Sequence, residues 1–339
     1  MTDDWLIYRG TGVPHDGVER LPAPPPWRDF DGGPVTVSEP EPDPALSRRR
    51  LGGLSASGGS RSLLGTDALD VVNAALYLRR PLLVTGMPGS GKSTIPYAVA
   101  HELRLGRVLR WPVTSRSTLR DGLYDYDAIA RLQDVQIART AAEDDAGPGA
   151  DIGQYIRLGP LGSALLPSLR PRVLLIDEID KSDIDLPNDL LNVLEEGEFA
   201  VPELERVANR APEVVVITDD GRRVTVRDGR IRCRAFPFVV LASNGERDFP
   251  AAFLRRCLHL EMPRPDEERL AAMVRAHFGD GADDRMRDFI ARFLDGDGRD
   301  VLAVDQLLNA LYLAGFTGQD SMTRDRLAEL LMRPIDRRG

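Results

Sequence analysis

The sequence predicts an α/β protein: a doubly wound parallel sheet, with an irregular N-terminal arm before it and an all-helical lid after it. Three observations predict this. The apolar run Leu82-Leu83-Val84 leads into Gly86-Met87-Pro88-Gly89-Ser90-Gly91-Lys92-Ser93, which satisfies G-x-x-x-x-G-K-[ST], and Thr94–Ala100 then reads as a helix. Four consecutive apolar residues, Val173–Ile176, fit a central strand buried on both faces and end in the adjacent carboxylates Asp177 and Glu178. From Pro265 onward no strand-like run remains; 266–278, 283–294, 300–314 and 322–332 have helical patterns with Gly-containing breaks between them. The expected domains are therefore an arm over 1–64, a nucleotide-binding α/β domain over 65–263 and a helical lid over 264–339.

Composition narrows the function. At 339 residues the chain exceeds one typical core. A formal charge of −9 argues against a duplex-binding surface, since phosphate contacts need a basic face; a local basic loop stays open. Two cysteines, Cys233 and Cys257, are too few for a disulfide framework and read as reduced thiols. No apolar run approaches the roughly 18 residues of a membrane span, and Met1-Thr2-Asp3-Asp4 is acidic, unlike a signal peptide. A soluble cytoplasmic protein is expected. All 44 basic side chains except Lys92 and Lys181 are arginine. A chain that writes its positive charge as Arg keeps Lys where a compact ammonium is wanted, which makes Lys181, four residues after Asp177, a candidate for a site or interface role.

The arm carries Pro22, Pro24, Pro25, Pro26, a Glu/Pro/Asp run at 39–44, Arg48-Arg49-Arg50 and a Gly/Ser cluster through Ser60. Such a segment cannot bury enough apolar area alone to offset its ordering. Its Trp5, Ile7, Tyr8 and Trp27 leave two readings open, a free tail or a strap laid on the body or a neighbouring subunit. Next, Leu69, Val72 and Leu76 have helical spacing from a candidate N-cap at Thr66 to Arg80, where Pro81 stops the pattern. The Gly-rich loop follows. Its glycines let consecutive backbone N–H groups turn inward, the helix start adds partial positive charge, Lys92 reaches β- and γ-phosphates, and the Ser93 hydroxyl suits Mg²⁺. The helix leaving it is expected to end near Gly106, before a strand over 108–113. Residues 114–165, with an acidic insert at 143–147, are left ambiguous.

Chemistry in such sheets collects at the C-terminal edge of the strands. Asp177 is placed to hold Mg²⁺ and Glu178 to deprotonate an attacking water. A helix is expected over 187–196, then one or two hairpins with turns at Asp219-Asp220-Gly221 and Asp228-Gly229. Phe238–Ser243 reads as another buried strand, tipped by Asn244, a candidate to bond the γ-phosphate or the attacking water. Arg255 and Arg256 follow a short helix and are candidates for a transition-state arginine donated to a neighbour's nucleotide.

In this order, loop, Asp-Glu strand, Asn-tipped strand and Arg pair resemble Walker A, Walker B, sensor 1 and arginine finger of AAA+ ATPases, from about residue 65 to the C-terminus. More narrowly the chain resembles the MoxR-like branch, related to dynein- and midasin-type modules, through Gly159-Pro160-Leu161, Leu190-Leu191-Asn192-Val193-Leu194-Glu195-Glu196-Gly197 and Phe249-Pro250-Ala251-Ala252-Phe253-Leu254-Arg255-Arg256. Arg256 falls on the finger arginine, and Arg255 stands where the branch usually has Asp. The branch's sensor-2 Ser-Pro-Arg turn has no clear equivalent; Arg299 is the nearest residue.

The resemblance implies a hexameric ring with ATP and Mg²⁺ at subunit interfaces, and a chaperone-like role on a protein client, often one with a von Willebrand factor A domain. On that expectation Gly86, Met87, Pro88, Gly89, Ser90, Gly91, Lys92, Ser93 and Thr94 bind nucleotide, Ser93 and Asp177 hold metal, and Glu178, Asn244, Arg255 and Arg256 are catalytic. Two other readings share the Walker pair: a GTP-using subunit of a DNA restriction system, and a nucleotide-gated signalling or scaffold module of a defence or stress system.

Overall fold

The continuous apolar runs become strands that are covered on both faces. The computed structural model describes residues 5–36, 51, 65–140, 152–264, 266–268, 270–271, 274, 290, 293, 304–316 and 326. Its elements run α1 (Thr66–Leu78), β1 (Leu82–Thr85), α2 (Ile95–Glu102), β2 (Val108–Pro112), α3 (Leu119–Leu123), β3 (Tyr124–Tyr126), α4 (Ala128–Thr140), β4 (Ile156–Leu158), α5 (Pro160–Ala164), β5 (Val173–Asp177), α6 (Leu186–Glu196), β6 (Glu198–Ala200), α7 (Pro202–Glu205), β7 (Glu213–Ile217), β8 (Arg223–Arg227), β9 (Arg230–Arg232), β10 (Phe238–Ser243), α8 (Ala251–Leu254), β11 (Leu258–Glu261) and α9 (Val304–Phe316).

Five strands pair in parallel in the order β11-β1-β10-β5-β2. Side chains alternate between faces: Leu83, Leu174, Ile176, Val239 and Leu241 enter one core cluster, and Leu82, Val84, Val173, Leu175 and Val240 enter the other. Because the strands are parallel and in step, with Thr85 beside Ser243 and Leu241 beside Ile176, the residues following β1, β5 and β10 emerge at one edge. That places the Gly-rich loop, Asp177-Glu178 and Asn244 together. The α/β fold expected from the sequence is the one observed.

A second sheet, β3-β4-β7-β8-β9-β6, was only half legible. The expected hairpins are β7–β8 and β8–β9, the second closed by Asp228 and Gly229, both at positive φ, as a two-residue turn demands. The stretch left ambiguous at 114–165 supplies β3 and β4 and joins them to β7 through one parallel pairing.

Some boundaries differ from expectation. Gly65, not Thr66, occupies the N-cap of α1, without a side-chain cap bond. The helix ends at Leu78 because Arg79 adopts the left-handed conformation, φ 53°, ahead of Pro81. The helix after the loop stops at Glu102 rather than Gly106, since Arg104 also turns to positive φ.

The arm over 5–36 is irregular but lies on the body. Leu6, Ile7 and Tyr8 are buried, and the fully buried Asn73 of α1 accepts from Ile7 and Tyr8 N–H at 2.8 and 2.9 Å while donating to Tyr8 O at 2.8 Å. Glu102 of α2 accepts from Arg9 and Gly12 N–H at 2.6 and 2.8 Å. This segment makes no core of its own; it borrows one, satisfying its backbone on two buried polar side chains. The 39–44 run, the Arg48–Arg50 cluster, the Gly/Ser cluster, the acidic insert 143–147, Arg299 and most of the helices expected over 264–339 lie outside the described residues. Over 264–339, the described residues Leu270, Val274, Ile290, Leu307 and Leu311 form a small cluster. Among the described residues no helix is long and apolar enough to cross a membrane.

Candidate active site

The loop after β1 is wound by glycines at positive φ: Gly86 at 149°, Gly89 at 78° and Gly91 at 90°. At Gly86 an added Cβ would sit 2.9 Å from Met262 O and 3.1 Å from Ser90 Oγ, so both conformation and space demand glycine. Lys92 is buried, its Nζ donating to Gly86 O at 2.8 Å and Met87 O at 2.7 Å. Burial pushes the proton affinity of this ammonium down, against Asp180 and Asp177, which raise it. A buried cation that, among the described residues, is bonded to two neutral carbonyls suits an anion in the loop. Ser90 Oγ, also buried, has no hydrogen-bond partner among the described residues. The loop thus fits a phosphate chain on two counts besides its motif.

Asp177 ends β5 and is bonded from both sides. Its Oδ1 accepts from Ser93 Oγ at 3.0 Å, and its Oδ2 accepts from Arg110 Nη2 at 2.8 Å and Nε at 3.2 Å. Hydroxyl and carboxylate oxygens are the hard donors Mg²⁺ takes, and that ion characteristically draws its remaining ligands from substrate phosphates and water. Among the described residues no cluster of three or more His, Cys, Asp or Glu offers a fuller protein cage.

Glu178 follows at φ 61°, ψ 41°, a left-handed conformation that costs a non-glycine residue about 1–2 kcal/mol. The turn swings its carboxylate off the strand end, where Oε1 accepts from Lys181 Nζ at 2.8 Å. Both side chains are 43% exposed. One of the chain's two lysines therefore sits in the phosphate loop and the other on the adjacent carboxylate. Lys181 holds its proton more firmly than usual, chiefly through that hydrogen bond to Glu178.

Asn244 leaves β10 at the same edge. Asp180 Oδ2 accepts from the backbone N–H of Asn244 at 2.9 Å and of Glu246 at 3.1 Å, tying the two strand ends together. Arg255 and Arg256 lie elsewhere, at the end of α8 beside the end of α6. Arg255 Nε donates to Ala251 O at 3.2 Å; Arg256 Nη1 donates to Ala252 O at 3.3 Å and its Nε lies 3.4 Å from Glu195 Oε1. Arg80 bonds the carbonyl oxygens of both, at 3.1 Å for Arg256. Among the described residues neither arginine has a bond to the loop, Asp177 or Glu178.

Sequence reasoning gave Arg110 and Asp180 no role, and Glu195 entered it only as part of the run ending α6. The signal for Arg110 was present, as the one charge inside the apolar run 108–113, and Asp180 lies three residues past Asp177. What each touches depends on strand pairing and could not be read locally.

A family model described as AAA domain, dynein-related subfamily, matches residues 81–257, just over half of the chain. The chain belongs to this family. The match to the AAA domain begins at the residue before β1 and closes just before β11, narrower at both ends than the resemblance read from the motifs. No curated protein matches the chain. Membership in the AAA family brings nucleotide binding and ATP-driven activity, and proteins of the wider AAA+ class commonly assemble as rings.

Proposed function

We propose that the protein is a MoxR-like AAA+ ATPase that hydrolyses Mg-ATP within a homo-oligomeric, hexameric ring and uses the cycle to remodel or activate a partner protein. The observation that carries this is the shared strand edge. The loop's Ser93 is 3.0 Å from Asp177 Oδ1, with Glu178 next in the chain and Asn244 emerging beside it. In this reading residues 65–263 are the nucleotide-binding domain and 264–339 its lid.

The roles follow from the side chains. Gly86 to Thr94 hold the β- and γ-phosphates through loop N–H groups and Lys92. Ser93 and Asp177 would hold Mg²⁺, which would supply positive charge against the phosphates. Glu178, beside Lys181, takes a proton from water as the water oxygen bonds to the γ-phosphorus and the bond to the β-phosphate oxygen breaks. Asn244 orients the water or γ-phosphate. Arg256, with Arg255, meets the charge growing on the neighbouring protomer's γ-phosphate. The client is taken to be a protein, in this branch often one with a von Willebrand factor A domain; the charge of −9 weighs against nucleic acid and against the GTP-using restriction motor. A cytoplasmic location goes with this role.

A second reading has one observation in its favour. Both carboxylates are engaged by cations, Asp177 by Arg110 and Glu178 by Lys181, as suits a nucleotide-gated signalling or scaffold module that turns over slowly until a partner frees them. Multiple-turnover rates with and without a partner separate the two, and competition between ATP and GTP settles the base. The test of the catalytic assignment is Glu178→Gln. It is expected to bind Mg-ATP and assemble as the wild type does while turnover falls by roughly 10²-fold or more, within the range general bases supply. Wild-type turnover in that variant would refute Glu178 as the base.

A further inference from the structure

The arm reaches Arg256 through one side chain of α6, Glu195. Arg28, in the arm's short turn Pro26–Arg28, is 4% exposed, its guanidinium carbon 5.2 Å from the Phe236 ring centroid. Its Nη1 donates to Leu194 O at 2.6 Å and more loosely to Glu195 O at 3.4 Å. These are last-turn carbonyls of α6, which lack helical partners and form the negative end of that helix. The anchor is fixed nearby as well, by Phe30 stacked on Phe236 at 5.6 Å and by Gly32 N–H donating to Cys233 O at 3.0 Å. A Cβ at Gly32 would lie 1.9 Å from Arg232 O, so the arm passes here in direct backbone contact.

The other half of the Arg28 fork reaches the Glu195 side chain: Nη2 lies 3.4 Å from Oε1. The same oxygen lies 3.4 Å from Arg256 Nε. One carboxylate oxygen thus stands between a guanidinium locked inside and one that is 48% exposed. Without the negative charge the two cations would face each other, and the exposed one is free to leave.

We propose that Glu195 is a positioning residue that aims Arg256 toward the neighbouring protomer's nucleotide, with Arg28 of the N-terminal arm as the buried anchor that fixes Glu195. This rests on the reading of Arg256 as a finger acting in trans. The arm is then a working part of the ATPase, and whatever lifts it from α6 slows the ring through its fingers. The Glu195–Arg256 pair contributes orientation rather than stability, because a half-exposed ion pair at this distance adds little to folding.

The experiment uses the full-length chain with Mg-ATP. Arg256→Ala sets the scale, with an expected drop in kcat of about 10³-fold. Glu195→Gln keeps the acceptor oxygen but not the charge. It is expected to lower kcat roughly 10- to 100-fold, the loss that goes with a small misplacement of a catalytic group, and to leave KM within about twofold. Arg28 keeps its Leu194 O acceptor when the charge is removed, so the melting temperature is expected to fall by no more than about 4 °C, the shift that goes with about 1 kcal/mol. Arg28→Met is expected to act in the same direction; if it fails to fold, Glu195→Gln carries the test.

Two readouts separate aiming from general damage. The double variant Glu195→Gln/Arg256→Ala is expected to be no slower than Arg256→Ala alone, since both act through one group. Mixing Glu195→Gln with Lys92→Ala protomers, which keep an intact finger but cannot hydrolyse, is expected to raise turnover per Glu195→Gln protomer. Wild-type kcat in Glu195→Gln, a fully additive double variant, or no rescue on mixing would each overturn the proposal. Wild-type turnover in Arg256→Ala would instead bring down the finger reading itself, and that shows in the single variant before Glu195 is touched.

Discussion

Replacing Asn73 by Ala detaches the start of the arm while leaving the AAA domain folded. The Asn73 side chain is fully buried and makes four hydrogen bonds: from Ile7 and Tyr8 N–H, and to Tyr8 O and Leu69 O, all between 2.8 and 2.9 Å. Alanine leaves three buried arm groups, two N–H and one C=O, without partners. At about 1–3 kcal/mol each, keeping the arm docked would cost about 3–9 kcal/mol. Releasing it exposes Ile7 and Tyr8, about 3–6 kcal/mol of apolar burial, offset by about 1–2 kcal/mol of recovered backbone entropy per freed residue. Tyr8 is also held at some cost already, because its buried hydroxyl has no partner among the described residues, and burial, with the Glu102 charge adding to it, raises its proton affinity well beyond the ordinary tyrosine value. Release is the cheaper outcome. Hydrogen exchange at the Ile7 and Tyr8 amides is expected to quicken by about 10²-fold, the factor that corresponds to about 3 kcal/mol, and trypsin to cut faster at Arg9. The main melting transition is expected to stay in place. Unchanged protection at those two amides, or loss of the whole fold in one step, would refute the account.

Two further outcomes follow from buried groups. Asp220→Asn leaves the Arg172 guanidinium, 2.7 Å from Asp220 Oδ2, buried without its counter-charge, and is expected to destabilise the protein by about 3 kcal/mol or more in chemical denaturation at neutral pH. Burial pushes the Asp220 carboxyl up, but Arg172, Thr218 and Arg222 together outweigh it and hold it below the usual carboxylate range. A lowered value means this stability is present above the unfolded carboxyl value, about 3.9, and is lost as pH falls through the folded one, so the gap between wild type and variant is expected to close below about pH 4. Cys233 and Cys257 are free and buried, and burial pushes both thiols up to about 12. Neither is expected to react with Ellman's reagent at pH 8 until denaturant is added; prompt labelling of either in the folded protein would contradict the packing.

The residues that carried meaning alone are those whose role is local. Gly86 to Ser93 are legible because a phosphate loop needs glycine conformations and a lysine at fixed spacing, whatever surrounds them. The strands β1, β5 and β10 are legible because burial on both faces removes polar alternation, leaving unbroken apolar runs that end at the site. The strand order β11-β1-β10-β5-β2 is not written in any segment, since crossovers of this length allow neighbours to be exchanged. β3 and β4, three residues each, are too short to show a period and become strands only by pairing with each other and, through β4, with β7.

The arm shows the same division. Its proline-rich composition correctly signals that it has no core of its own. Its docking depends on Asn73 and Glu102, single polar side chains that come to its backbone from 65 and 90 residues away. So it is with the charges around the site: Asp177 and Glu178 announce themselves by following an apolar strand, while Arg110, Asp180 and Glu195 acquire their partners only when the sheet brings distant segments into register. Spacing along the chain determines what a residue is able to do, and packing alone decides what it does it to, because charge and hydrogen bonding act over a few ångströms of space and not along the sequence.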